Sequence, residues 1–122
     1  NRSACSARVN CASSSENIDW DLKANSAYAR TDGTPLFTTN SAGIFVFGVM
    51  TNSFSGGGQY WTGISTVSQW MPSGGGNNCN KWTSNSGGLN GNYGDGAVTS
   101  YTAIAIAASA CSALKSILCA EQ

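Results

Sequence analysis

Cys79-Asn80-Lys81-Trp82-Thr83-Ser84 is the stretch on which the reading of this chain turns. A cysteine and a large aromatic three residues apart make one compact anchor, the first open to covalent cross-linking, the second able to bury a large apolar area. Upstream stands Tyr60-Trp61-Thr62-Gly63-Ile64, aromatic and β-prone. Downstream stand Cys111 and the run Ile117-Leu118-Cys119-Ala120-Glu121-Gln122. These pieces read as short strands, two of them carrying cysteines, spaced by long polar loops. The expected class is α+β and mostly β, a small extracellular domain held by disulfides.

Composition narrows the field further. The chain has 122 residues, five cysteines, no histidine, and six basic against six acidic side chains. That length suits a single domain, residues 1–122, with a modest core. Sparse, balanced charge gives no electrostatic footprint for nucleic acid or an anionic membrane. Five cysteines in so short a chain point to disulfides and an oxidising compartment, hence a secreted or cell-surface protein. Zinc is not expected without histidine or a Cys-x-x-Cys pair. No apolar run approaches the length of a membrane span. Starting at Asn1 without methionine or signal sequence, the chain reads as mature, trimmed or excised material.

In chain order, Cys5 and Cys11 enclose a short polar segment, a spacing that favours a local loop-closing disulfide. The alternative is that one of them reaches Cys119. Asp32-Gly33, flanked by β-prone residues, signals a hairpin, and Thr34-Pro35-Leu36-Phe37-Thr38-Thr39 follows as an edge strand or extended arm. The near-continuous apolar run Ile44–Met50 predicts a strand buried on both faces. Gly56-Gly57-Gly58 and Gly74-Gly75-Gly76 lack the phosphate-loop pattern and read as loops. Asn90-Gly91 and the following Asn92–Gly96 predict a turn; their spacing does not fit a calcium loop. Residues 99–110 allow helix or strand, and their neighbours favour a strand.

For catalysis the inventory is poor. Without histidine there is no side chain whose ordinary pKa suits acid–base work near neutrality, and Ser-His-Asp and Cys-His arrangements are excluded. Asp19 and Asp21 form the one close carboxylate pair and read as surface residues. No catalytic residue, metal ligand or cofactor is expected.

The order YWTGI (60–64), CNKWTS (79–84), a lone Cys111 and ILCAEQ (117–122) resembles the C-type-lectin-like fold, more closely its bacterial endostatin-like version in leptospiral surface proteins. DWDLKANSAYARTDG (19–33) and TTNSAGIFVF (38–47) are similar to that family's middle segment. The resemblance covers about residues 19–122. It implies that Cys79 pairs with Cys111, and that Trp61 and Trp82 are core aromatics. It also implies that a first strand and a Cys-bearing helix should precede Asn1, leaving Cys119 to bond with another segment or another chain. An unpaired edge at 117–121 would then invite a strand from a neighbour. Calcium-dependent sugar binding is not expected, since Trp-Met-Pro-Ser (70–73) and Trp-Thr-Ser (82–84) replace the lectin motifs.

The implied function is a non-catalytic, adhesin-like module recognising host, matrix or other proteins; a structural subunit completed by a neighbouring subunit is the alternative. Candidate ligand contacts lie on the loop from Ser65 to Asn78: Trp70, Met71, Asn77 and Asn78. Trp70 could equally fold back over the small core.

Overall fold

Asp32 and Gly33 reverse the chain between two antiparallel strands. The computed structural model describes residues 2–3, 17–18, 22–46, 49–64 and 76–120. Among these, β1 (Arg2–Ser3) pairs with β2 (Asn17–Ile18), and β3 (Ala27–Ala29) pairs with β4 (Pro35–Thr38). β5 (Gln59–Trp61), β6 (Asn90–Asp95) and β7 (Ala107–Ala110) form a three-stranded antiparallel sheet in that order. The architecture is mostly β, with short strands and a disulfide. Among the described residues no helix is long and apolar enough to cross a membrane.

The β3–β4 hairpin follows from local chemistry. Gly33 takes φ +86°, a conformation open to glycine at little cost. The Thr34 amide donates to Asp32 Oδ1 at 2.9 Å, and the Arg30 amide to the Thr34 carbonyl at 2.8 Å. Those Thr34 donors hold the Asp32 carboxyl below its usual range, with the nearby Arg30 charge adding to the effect. Arg30 Nε then donates to the Ser53 carbonyl at 2.8 Å, tying the hairpin to the next loop.

The core is aromatic. Leu36, Phe37, Phe45, Met50, Ala103 and Ile104 are buried together, with Leu22, Tyr28, Phe54, Ile64 and Val98 packed around them. The Phe37 ring stacks on Phe45 at 3.9 Å between centroids and on Tyr28 at 5.2 Å. Tyr60 is buried, meets the edge of Phe54 at 5.5 Å and donates its hydroxyl to the Ala103 carbonyl. Burial, helped by the Asp95 carboxylate, pushes the Tyr60 phenol well above its ordinary pKa, so it remains a neutral donor.

Three stretches of the core and the sheets depart from the sequence reading. Among the described residues, 44–46 and 49–50 form no strand. Asn40 Oδ1 accepts from the Ala42 amide at 2.9 Å and the Ile44 amide at 3.2 Å, so its side chain competes with a strand ladder. The Val49 amide donates to the Val46 carbonyl at 2.9 Å, a partner close in the chain rather than on a neighbouring strand. Phe45 and Met50 enter the core, whereas Val46 is 73% and Val49 63% exposed. Phe47 and Gly48 lie outside the described residues.

The second departure is β6. Asn90–Asp95, read as a turn, is the central strand of the sheet. Its glycines are there for close approach. A Cβ on Gly94 would stand 2.2 Å from the Ala103 carbonyl oxygen, and one on Gly91 2.8 Å from Cys79 Sγ and 3.0 Å from the Trp61 ring. Tertiary contact overrides the low β-propensity of glycine and asparagine here. Gly94→Ala should therefore destabilise the domain by about 2–3 kcal/mol, since backbone rather than a flexible side chain obstructs the new methyl. Urea unfolding of the purified variant measures it.

Third, residues 99–110 divide: Tyr101–Ala103 form a 3₁₀ turn, and Ala107–Ala110 form β7. Ile104 is buried while Ile106 stays 38% exposed, so the two do not share a strand face.

Candidate functional site: an aromatic ledge on the outer face of the sheet

Register decides which side chains share a face. Tyr60 pairs with Gly94, and both face the core. Trp61 pairs with Tyr93, so these two rings project together from the opposite face. Both are half-buried.

A third ring joins them from outside the sheet. Cys79–Trp82, read as a strand, is one tight turn with φ of 51°, 52°, 58° and 64° at Cys79, Asn80, Lys81 and Trp82. Four successive non-glycine residues in the left-handed region are uncommon, at roughly 1–2 kcal/mol each. Of the four, asparagine tolerates it best. The Trp82 amide donates to the Asn78 carbonyl at 2.8 Å, and the Lys81 amide to Asn78 Oδ1 at 3.0 Å. Cys79 and Cys111 are joined by a disulfide with Cα atoms 5.6 Å apart, fixing the start of the turn to the residue after β7.

The turn sets Trp82 against Trp61, ring centroids 5.9 Å apart and planes tilted by 56°. Gly63, at φ +66°, leaves room for the Trp82 ring: a Cβ there would stand 2.8 Å from it. Trp82 is nonetheless 46% exposed. Trp61 and Trp82 are therefore not core aromatics, a correction to what the resemblance implied. The core lies on the far side of the sheet and is filled by other rings.

Lys115 completes the ledge. Its Nζ lies 3.9 Å from the Tyr93 ring centroid and 5.3 Å from that of Trp61, and donates to Gln59 Oε1 at 2.6 Å. Such cation–π contacts contribute about 0.5–1 kcal/mol at exposed sites. Ser116 bridges to the edge of β5, its amide donating to the Gln59 carbonyl and its carbonyl accepting from the Trp61 amide, both at 3.0 Å. Gln59, Leu114, Lys115 and Ser116 line an open depression of about 490 Å³ beside the rings. Leu114 is fully exposed, Ile117 76% and Leu118 46%.

The residues singled out in the sequence distribute unevenly. Cys5, Cys11, Trp70, Met71, Asp19 and Asp21 lie outside the described residues. Asn78 uses its side-chain oxygen to cap the turn, and the Asn77 carbonyl accepts from the Asn92 amide at 3.0 Å. Both asparagines thus support the ledge from below. Cys119 is a free, exposed thiol, and residues 117–120 form no strand. Among the described residues no three His, Cys, Asp or Glu side chains gather as a metal site. Tyr93 and Lys115 were not legible as site residues. Tyr93 sat in an apparent turn, and only its pairing with Trp61 exposes the shared face.

No curated protein and no solved structure matches this chain. Residues 1–99 match the family described as protein of unknown function (DUF1554), a span that covers β1 to β6 and Cys79 and stops short of Cys111 and Lys115. The chain therefore belongs to the DUF1554 family.

Proposed function

We propose that this chain is a non-catalytic binding module of the bacterial endostatin-like, C-type-lectin-like kind. In this reading it is secreted or displayed on a cell surface and recognises host, matrix or other proteins through the ledge of Trp61, Trp82 and Tyr93. The observation that carries the reading is the exposure of Trp82 on a built support: a disulfide, a capped turn and two glycines hold a large aromatic in solvent. A tryptophan anchor rimmed by apolar side chains suits a protein partner. Leu114, fully exposed in the depression lined by Lys115 beside the rings, supplies apolar surface there and gives a saccharide little to bond with. Exposed apolar area of this kind marks interaction sites. The disulfide favours an oxidising compartment.

Immobilised collagen, laminin and fibronectin, screened against the purified domain by biolayer interferometry, test this reading. Saturable binding to at least one is expected; no binding to any would count against a matrix ligand.

A second reading, a structural subunit of a surface assembly, draws on the exposed Leu114, Ile117 and Leu118 beside the free Cys119 thiol. In that reading Cys119 bonds to a neighbouring subunit. Non-reducing electrophoresis separates the two: a covalent dimer abolished by Cys119→Ser favours assembly, and a monomer favours the binding module.

A further inference from the structure

Left-handed backbone at Cys79–Trp82 has no local cause sufficient to explain it. Asn80 tolerates the conformation, but Cys79, Lys81 and Trp82 carry ordinary side chains that resist it. The hydrogen bonds closing the turn, from Trp82 to Asn78 and from Thr83 to Cys79, are of the kind a right-handed turn would make equally well. What distinguishes this turn is its attachment. Cys79 is tied to Cys111, and its sulfur rests over Gly91, where any side chain would collide with it. The direction in which the chain leaves Cys79 is thus set from outside the turn.

We infer that Cys79, through its bond to Cys111, is the positioning residue for Trp82: the disulfide holds residues 79–82 left-handed, and only that hand seats the indole on Gly63 beside Trp61. Strained backbone of this kind persists where the surroundings over-determine it, and it concentrates at functional sites. The sheet beneath has its own supports. β5 pairs with β6 from Gln59 to Trp61, and β6 with β7 from Asn90 to Tyr93, through backbone ladders that do not pass through the turn. Loss of the disulfide should consequently undo the Trp61–Trp82 pair before it undoes the sheet. The inference builds on the ledge as the contact surface, but its test needs no ligand, so either can fail without the other.

Two tryptophans at this separation and tilt should give an exciton couplet in circular dichroism, assigned by its loss in Trp82→Phe. Cross-strand amide contacts between β5, β6 and β7, read by NMR, report the sheet independently. In the double variant Cys79→Ala/Cys111→Ala, most of the couplet should vanish while the cross-strand contacts remain. Adding Asn80→Gly and Lys81→Gly to that background should restore a large share of it, because glycine enters the left-handed region without steric cost. The inference is overturned by a couplet that survives in the alanine variant, or by one that the glycines do not restore. It is equally overturned if the cross-strand contacts disappear together with the couplet, since the disulfide would then be a staple of the whole fold.

Discussion

Replacing Cys79 and Cys111 with alanine is expected to lower the stability of the domain by up to about 4 kcal/mol. The bond closes a loop with a sequence separation of 32 residues, and in the chain-entropy description a loop of that length restricts the unfolded ensemble by about that amount. Relief of the left-handed backbone at Cys79–Trp82 offsets part of that loss, so about 4 kcal/mol is its upper end. A small domain has a total stability of roughly 5–15 kcal/mol, so the variant should still fold in the cold and lose its margin on warming. The midpoint of thermal unfolding should fall by roughly 10–20 °C. Urea titration and calorimetry of the two proteins measure both quantities; a difference below about 1 kcal/mol would show that the bond does not constrain the unfolded chain.

Phe37→Ala should cost about 3–5 kcal/mol, the range for removing a well-packed aromatic. Phe37 is the ring through which the β3–β4 hairpin reaches the rest of the core. It stacks on Phe45 and Tyr28, and meets the edge of Phe54 at 6.4 Å between centroids. Phe54 in turn contacts Tyr60 on β5, so the hairpin and the sheet communicate through this chain of rings. The cavity left by alanine has little means of collapsing, because its walls come from separate elements. By the same argument Phe37→Leu should recover much of the loss. Denaturant midpoints across the three proteins would reveal it, and a cost for Phe37→Ala near that of a surface change would mean the hairpin packs elsewhere.

Much of the fold was legible where local chemistry decides it. The Asp32-Gly33 hairpin and the strand containing Pro35 follow from turn chemistry and the missing proline donor. The Tyr60–Trp61 strand follows from aromatic β-propensity. Legibility fails where a distant contact decides. Nothing local announces that Asn90–Asp95 is a central strand, since its glycines answer to Cys79, Trp61 and Ala103, all remote in sequence. Nor does anything between Cys79 and Trp82 announce left-handed backbone, except that Asn80 can tolerate it.

The apolar run Ile44–Met50 misled for a related reason. Apolarity predicts burial, but local hydrogen bonds, from the Ala42 and Ile44 amides to Asn40 Oδ1 and from the Val49 amide to the Val46 carbonyl, take the place of a ladder. The ledge was half visible. Trp61 and Trp82 stood out as large aromatics, but their exposure depends on which face of the sheet the core occupies, and that depends on β6. The Trp61–Tyr93 pairing, the one fact that defines the face, needs a strand the sequence reads as a turn.

The affinity of Trp82→Ala for whichever matrix protein the domain binds tests the central claim most directly. Trp82 is 46% exposed and supports little of the core, so the variant should retain the unfolding midpoint of the parent within a few degrees. As a central aromatic anchor it should contribute about 2 kcal/mol or more, so the dissociation constant should rise at least about thirtyfold. A folded Trp82→Ala protein that binds as tightly as the parent would contradict the assignment of the ledge as the contact surface.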